Sequence, residues 1–168
     1  MYVQPVYRGP VKLSVMLIWG VANPEGEQDG YTGLFLTADD IKLAINGDLM
    51  DGLPVKIEHK GVAVGKVVTA WENKGKMELL IDIDETIFEG NVVSRFVRDN
   101  VVCDLSLGYS VGLQFCDKSH NYVAAGKTYH EVSLVKKGAR SGCHIGGYSV
   151  VDKTHSTKRR KKCDFSSF

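Results

Sequence analysis

Hydrophobic and polar residues alternate along much of the chain with a period of two, which predicts a protein built mostly of β-strands. Alternating or nearly continuous apolar segments are found at Val11–Trp19, Leu53–Glu58, Val62–Trp71, Lys76–Asp84, Leu105–Phe115 and Lys127–Lys136. Segments of this length, separated by Gly, Pro, Asn and Asp, are typical of strands. They do not alternate regularly with helices, so we expect an α+β fold, mainly β, with an antiparallel-rich curved or closed sheet rather than a doubly wound one.

Two segments have helical periodicity instead. Thr37 can act as the N-cap of a first helix that has Asp40 at its third position and apolar residues between Ile41 and Leu49. The second predicted helix covers Thr86 to Asn100. Its apolar stripe consists of Val92, Val93, Phe96 and Val97.

The segment Leu105–Phe115 alternates without interruption, so one face is expected to join the core while the other carries only small or polar groups. Small residues leave room for a backbone or a substrate to lie against the strand, although a plain solvent-facing strand gives the same pattern. The segment also matches the G-x-S-x-G nucleophile elbow around Ser110. That motif requires a sharp turn followed by a helix, and the alternation instead continues past Ser110. An esterase of the α/β-hydrolase type is therefore the weaker alternative.

Further candidate catalytic side chains lie in two other segments. His59 follows a predicted strand and precedes Lys60-Gly61, where a turn is expected. His130 and Glu131 are adjacent in the strand Lys127–Lys136, so strict alternation directs them to opposite faces and only one can join a shared site. The residues alone thus offer a serine, a histidine and an acid on three strands without bringing them together.

Composition and charge narrow the function classes. The chain has 168 residues, 43% hydrophobic and 24% charged, which favours one domain at 1–150 followed by a tail at 151–168. No apolar run approaches the roughly 20 residues of a membrane span, so we do not expect a membrane protein. The first residues contain no apolar block like that of a signal peptide, so we do not expect secretion. The chain has 21 Lys and Arg residues, of which six follow Val151, and 20 Asp and Glu residues, of which two follow Val151. The body up to Val151 therefore holds 15 basic and 18 acidic residues and is mildly acidic. Specific nucleic-acid binding by that body is not expected.

The four cysteines are widely spaced and form no C-x-x-C motif: Cys103, Cys116, Cys143 and Cys163. Free, reduced thiols are the expected state of such a pattern. A zinc site can be assembled on paper from Cys116, His120, Cys143 and His144. Only the first two residues have a ligand-like spacing, so we do not expect structural zinc.

Three motifs, in this order, resemble those of the herpesvirus capsid maturation proteases (assemblins) and the tailed-phage prohead proteases. Leu53-Pro-x-x-Ile-x-His59, followed by Val64-Gly65-x-Val67, resembles the histidine motif of the assemblins. Leu105-Ser106-Leu-Gly-Tyr109 resembles the nucleophile motif of the prohead proteases. Glu131-Val-Ser-Leu134 with Gly138-x-Arg140-x-Gly142 resembles the segment of the third catalytic residue and the oxyanion loop. The resemblance covers roughly residues 11–145 and implies a closed, antiparallel-rich β-barrel flanked by a few helices.

The resemblance also implies a role for each matched residue of a serine endopeptidase. Ser106 would be the nucleophile, His59 the general base and then acid, and Glu131 the residue that orients the imidazole. Backbone N–H groups near Ala139 and Arg140, together with the Arg140 side chain, would bind the oxyanion. No metal or organic cofactor is implied. The implied substrates are scaffold and capsid proteins, cleaved inside an immature viral procapsid.

The chain departs from the assemblin pattern at two matched positions. Glu131 stands where assemblins generally have a histidine, and an acid at this position is more like the phage enzymes. Ala139 stands where assemblins usually have a second arginine. Assemblins build their dimer from C-terminal helices, which the segment after residue 151 does not resemble. The resemblance therefore implies a homodimer, but not one formed by that route. The competing hypothesis is a capsid or scaffold-associated protein that keeps the fold without turnover. The presence of Ser106, His59 and Glu131 together disfavours it.

The tail contains a run of five basic residues: Lys158, Arg159, Arg160, Lys161 and Lys162. Because the surrounding segment is rich in Ser and Thr and has no apolar pattern, we expect the run to be solvated. It suits a solubilising end, a nuclear import signal or an anchor to an acidic polymer. The expected location is the viral procapsid, assembled in the host nucleus if the virus infects eukaryotes and otherwise in the host cytoplasm.

Overall fold

A computed structural model describes residues 14–24, 38–116 and 121–152, and the structural statements below concern these residues. They form a mainly β structure of the α+β class, as the periodicity predicts. The elements, in chain order, are β1 (Ser14–Asn23), α1 (Ala38–Asn46), β2 (Pro54–Ile57), β3 (Lys60–Asn73), β4 (Lys76–Asp84), α2 (Phe88–Arg98), β5 (Asp104–Cys116), β6 (Asn121–Val135) and β7 (His144–Asp152). With 9 and 11 residues, neither helix in this part of the chain is long enough to cross a membrane.

The strands form one sheet in the order β5-β6-β2-β3-β4-β1-β7. The β2–β6 pair is parallel and the other pairs are antiparallel. The sheet curls, because β5 contacts β1 and β7 although they lie at the opposite end of this order. The expected closed barrel is not confirmed. Within the described ranges no strand ladder joins the edges β5 and β7; the Ile145 N–H does donate to the Cys103 carbonyl at 2.7 Å, just before β5 begins.

The core is a cluster of buried side chains contributed by the strands and by both helices. Strand β4 shows why the sequence folds this way, since every second residue is buried: Met77, Leu79, Ile81 and Ile83. Each such side chain contributes about 2 kcal/mol through the hydrophobic effect. Helix α1 adds Ile41 and Ala44, and α2 adds Val93 and Val97, to the same cluster. The predicted cap Thr37 lies outside the described residues.

A β-bulge in β6 changes the faces that strict alternation assigns. Gly108 pairs with Glu131, but the next residue of β5, Tyr109, pairs with Tyr129, so His130 is an extra residue on β6. Tyr129 consequently belongs to the core cluster, whereas Glu131 lies on the other face of the strand. Strict alternation along the strand would instead place Tyr129 and Glu131 on the same face.

Candidate active site

Three side chains from three parts of the sheet form a continuous chain of hydrogen bonds. His59 Nε2 lies 3.0 Å from Ser106 Oγ, and His59 Nδ1 lies 2.6 Å from Glu131 Oε1. Ser106 belongs to β5 and Glu131 to β6, while His59 lies in the turn between β2 and β3. Because an ionised carboxylate can only accept, the proton of the shorter contact is on Nδ1. Nε2 is then free to accept the Ser106 proton.

The turn that carries His59 has an unusual backbone conformation. Ile57 pairs with Lys60, so Glu58 and His59 form a two-residue hairpin loop, and both have positive φ (47° and 60°). Positive φ at both central residues is the mark of a type I′ turn, which usually contains Asn and Gly. The expected turn at Lys60-Gly61 thus begins two residues earlier. Such conformations in non-glycine residues cost about 1–3 kcal/mol each and persist where surrounding contacts impose them.

The end of β6 supplies those contacts. The Glu58 N–H donates to the Leu134 carbonyl at 3.1 Å, and the Glu58 carboxylate accepts the Lys136 N–H at 2.8 Å. The His59 N–H donates to Ser133 Oγ at 3.0 Å. The parallel pairing of β2 with β6 therefore places the imidazole directly over Glu131 and beside β5.

Gly108 makes room for the acid. A Cβ atom at this position would lie 2.5 Å from Glu131 Cγ, closer than carbon atoms tolerate. The sequence indicates that small residues on this face of β5 leave space for a backbone or a substrate. At Gly108 that space is filled by the Glu131 side chain of the neighbouring strand.

Glu131 is buried yet held in its charged form. Burial raises the pKa of Glu131, but hydrogen bonds from His59, Ser133 and Lys56 outweigh it and bring the pKa below its usual value. Ser133 Oγ donates to Oε1 at 3.1 Å, and Lys56 Nζ lies 3.4 Å from Oε2. An ionised carboxylate at this position stabilises an imidazolium, the species formed when His59 takes a proton.

The sequence analysis does not identify Lys56 and Ser133. Ser133 lies two residues from Glu131, on the same face of β6, so alternation could have suggested it. Lys56 becomes a neighbour only through the parallel register, in which it faces Ser133. No local sequence pattern carries that information.

The predicted oxyanion loop lies against the start of β5. The Gly138 N–H donates to the Asp104 carboxylate at 2.8 Å, and a Cβ at Gly138 would lie 3.0 Å from the Leu105 carbonyl oxygen, one residue before the serine. The Arg140 side chain is buried, with Nη2 donating to the Tyr109 hydroxyl at 3.0 Å and its guanidinium 5.9 Å from the Tyr109 ring centroid. The oxyanion role of Ala139 and Arg140 stays a prediction.

Ser110 and His130 form a separate pair on the surface. Ser110 Oγ lies 2.8 Å from His130 Nε2, and both residues are exposed. Strand β5 continues through Ser110 to Cys116, with neither a sharp turn nor a following helix at the serine. The backbone here therefore lacks the geometry of a nucleophile elbow.

Other predicted features lie partly outside the described residues. Within residues 14–24, 38–116 and 121–152, no group of three His, Cys, Asp or Glu side chains is placed to hold a metal ion. The Cys143 thiol is buried and donates to the Ala22 carbonyl at 3.1 Å. The Cys116 side chain, His120 and the basic run Lys158–Lys162 lie outside the described part of the chain.

No protein-family model matches the chain, and no curated protein matches its sequence. Solved structures of Kaposi's sarcoma-associated herpesvirus (KSHV) protease do match its fold. The KSHV protease in complex with a hexapeptide phosphonate inhibitor superposes with a TM-score of 0.54 at 18% identity, over 80% of this chain and 65% of that one. A second KSHV protease structure, with an allosteric inhibitor, gives 0.51 at 16% identity, over 80% and 77%. This chain thus spans slightly less than two thirds of the first structure's chain. The described residues have the fold of the herpesvirus proteases, the assemblin fold.

Proposed function

We propose that this protein is a serine endopeptidase of viral capsid maturation, which cleaves scaffold and capsid proteins within an immature procapsid. The observation that carries the proposal is the hydrogen-bonded chain from Ser106 through His59 to Glu131. Two observations support the proposal. The hydrogen-bonded side chains have the order and interatomic distances of a catalytic triad. They also occur on the fold of the herpesvirus proteases. A homodimer, a closed barrel and a location in the procapsid belong to the same proposal.

The geometry supports a two-step hydrolysis. Ser106 Oγ attacks the carbonyl carbon of the scissile peptide, forming a C–O bond while His59 Nε2 takes the hydroxyl proton. The C–N bond then breaks as the same nitrogen gives its proton to the leaving amine, leaving an acyl-enzyme. Water then attacks the ester carbonyl as His59 Nε2 takes one of its protons. The C–O bond to Ser106 breaks, the carboxylic acid product leaves, and His59 returns the proton to Ser106 Oγ. The His59 side chain is 42% exposed, so a substrate can reach it, whereas Ser106 is only 5% exposed and fixed by the strand.

The remaining residues support charge development in this reaction. Glu131 stabilises the imidazolium that exists between the two proton transfers. Backbone N–H groups at Ala139 and Arg140 would bind the oxyanion, since their loop packs beside the residue that precedes Ser106. Arg140 would hold this loop in place through its contact with Tyr109.

A reactive phosphonate tests the proposal directly. Purified protein is treated with a peptidyl diphenyl phosphonate, digested and analysed by mass spectrometry, in parallel with an assay on a purified scaffold protein. We expect one covalent adduct, on the peptide that contains Ser106, and loss of both labelling and cleavage in Ser106→Ala.

Ser110→Ala is the matched control, because it removes the same hydroxyl from the same strand four residues away. It should keep most of the labelling and cleavage. An adduct on Ser110 would contradict the assignment and revive the esterase alternative. A correctly folded wild-type protein that neither cleaves nor reacts would instead favour the non-catalytic capsid-associated protein.

A further inference from the structure

The Glu131 carboxylate has three polar partners, and only His59 belongs to the proposed triad. Oε1 accepts from His59 Nδ1 at 2.6 Å and from Ser133 Oγ at 3.1 Å, while Oε2 lies 3.4 Å from Lys56 Nζ. Lys56 and Ser133 face each other across the parallel β2–β6 pair. Besides its contact with the imidazole, the carboxylate is therefore held at Oε1 by Ser133 of β6 and at Oε2 by Lys56 of β2.

The Ser133 hydroxyl connects the acid to the main chain of the histidine. Ser133 is fully buried, and its oxygen accepts the His59 N–H at 3.0 Å. Its single proton is directed to Glu131, which as a carboxylate can only accept. One hydroxyl thus sets the position of the strained turn relative to the carboxylate. Removing it would leave the His59 N–H without its partner and Glu131 with one donor fewer.

Lys56 supplies a positive charge to the same carboxylate. Its side chain is about one-third exposed (32%), whereas that of Glu131 is only 10% exposed. Of the other ionisable groups near the pair, Glu58 accepts a main-chain N–H and His130 binds a serine hydroxyl. The Lys56 ammonium compensates the Glu131 charge and opposes the uptake of a proton by the Glu131 carboxylate.

We propose that Lys56 and Ser133 are positioning residues of this peptidase, which hold the Glu131 carboxylate in line with His59 without contacting substrate. The inference rests on the proposed function and adds two residues to it. It makes separate predictions for the two, because Ser133 acts on geometry and Lys56 on charge.

Ser133→Ala tests the geometric part. We expect kcat to fall by about tenfold to a hundredfold with KM almost unchanged, because a misaligned base slows the chemical step more than binding. Ser94→Ala is the matched control. Ser94 is also a fully buried serine, but it lies in α2 and its hydroxyl has no hydrogen-bond partner among the described residues. Its removal should leave kcat and KM unchanged, and thermal unfolding of both variants separates misalignment from loss of fold.

Lys56→Met tests the charge, in a residue exposed enough that the fold should survive. Without the ammonium, the Glu131 carboxylate binds a proton more readily and then no longer stabilises an imidazolium. The acid limb of the kcat/KM profile should therefore move up by about half a pH unit, as expected of a partly exposed ion pair. Lys56→Arg should restore the original profile, and Lys76→Met, an exposed lysine at the start of β4, should not move it.

The outcomes distinguish this inference from the proposed function. If the wild type cleaves but Lys56→Met follows the wild-type pH profile, the role of Lys56 is overturned. If folded Ser133→Ala matches Ser94→Ala in kcat, the role of Ser133 is overturned. Should Ser133→Ala fail to fold, Ser133→Thr, which keeps the hydroxyl, must retain kcat for the role to stand. A wild type that shows neither cleavage nor phosphonate labelling contradicts the proposed function itself.

Discussion

Glu131 and His130 are adjacent in β6 but have different surroundings. Glu131 is buried and contacts His59, while His130 is exposed and contacts Ser110. A bulge, rather than simple alternation, separates their roles. Mutations at these two positions therefore test whether the acid or its neighbour serves the reaction.

Glu131→Gln keeps the size of the side chain and removes its charge. We expect kcat to fall at least about tenfold, since a neutral amide stabilises the imidazolium poorly and can present its N–H to the wrong partner. His130→Ala should cost much less, because only a surface contact is lost. Steady-state kinetics on both variants, with folding checked by circular dichroism, measures the difference. An inactive but folded His130→Ala beside a nearly normal Glu131→Gln would overturn the assignment.

The charge of Glu131 also links folding to pH. Its pKa in the folded protein lies below the usual value of 4.5, so the unfolded chain binds the proton first as the pH falls. The stabilisation is fully present above pH 4.5 and is lost as the pH falls through the folded-state pKa. The difference in unfolding free energy between wild type and Glu131→Gln should therefore shrink from pH 7 to pH 4. Urea unfolding at several pH values measures it, and a constant difference would contradict the linkage.

At the scale of elements, the pairing of β5 with β6 determines whether the acid can reach the histidine. Gly108→Ala places a methyl carbon 2.5 Å from Glu131 Cγ, which is closer than carbon atoms tolerate. We expect Glu131 to be displaced and kcat to fall by about tenfold or more, with the strand still formed. Ser110→Ala, on the same strand, introduces no such contact. If folded Gly108→Ala is as active as the wild type, the Glu131 side chain can contact His59 without the space at Gly108, and this explanation is wrong.

Strands with regular alternation could be predicted from the sequence, because burial repeats every second residue. β4 matches its predicted range, and β5 differs by one residue at each end. β7 was not predicted, because Gly146-Gly147 interrupt its apolar pattern. The apolar residues that follow in the same strand, Tyr148, Val150 and Val151, are exposed and show no alternation of burial. The bulge at His130 was not predicted either, because the extra residue is defined by the register with β5 and leaves no mark in the local sequence.

The same distinction applies to the candidate site. Motifs single out Ser106, His59 and Glu131 individually, since each stands in a recognisable local pattern. Their contacts depend on two pairings between distant segments, β2 with β6 and β5 with β6. Lys56 has no motif, so only the register brings it to Glu131. The local sequence therefore indicates which residues are candidates for catalysis, and the strand pairing of the sheet brings them into contact.

At the scale of the whole molecule, the curled sheet concentrates the site in one region. The parallel β2–β6 pair brings together two segments that are more than 70 residues apart in sequence (His59 and Glu131, 72). Such non-local pairing is slow to form and is cooperative, so the site should be lost together with the fold rather than before it.

The charge distribution of the whole chain separates an acidic body from its basic run. Replacing Lys158, Arg159, Arg160, Lys161 and Lys162 by Ala removes five positive charges that lie outside the described sheet. Peptidase activity should be unchanged, because the proposed site is built from β2, β5 and β6. If the run is an import signal, a tandem fluorescent fusion too large to diffuse through nuclear pores should move from the nucleus to the cytoplasm. Lysine-to-arginine changes at 158, 161 and 162 keep the charge and should keep the fusion nuclear. An unchanged distribution of the five-alanine variant would exclude import, and reduced solubility would then favour a solubilising end.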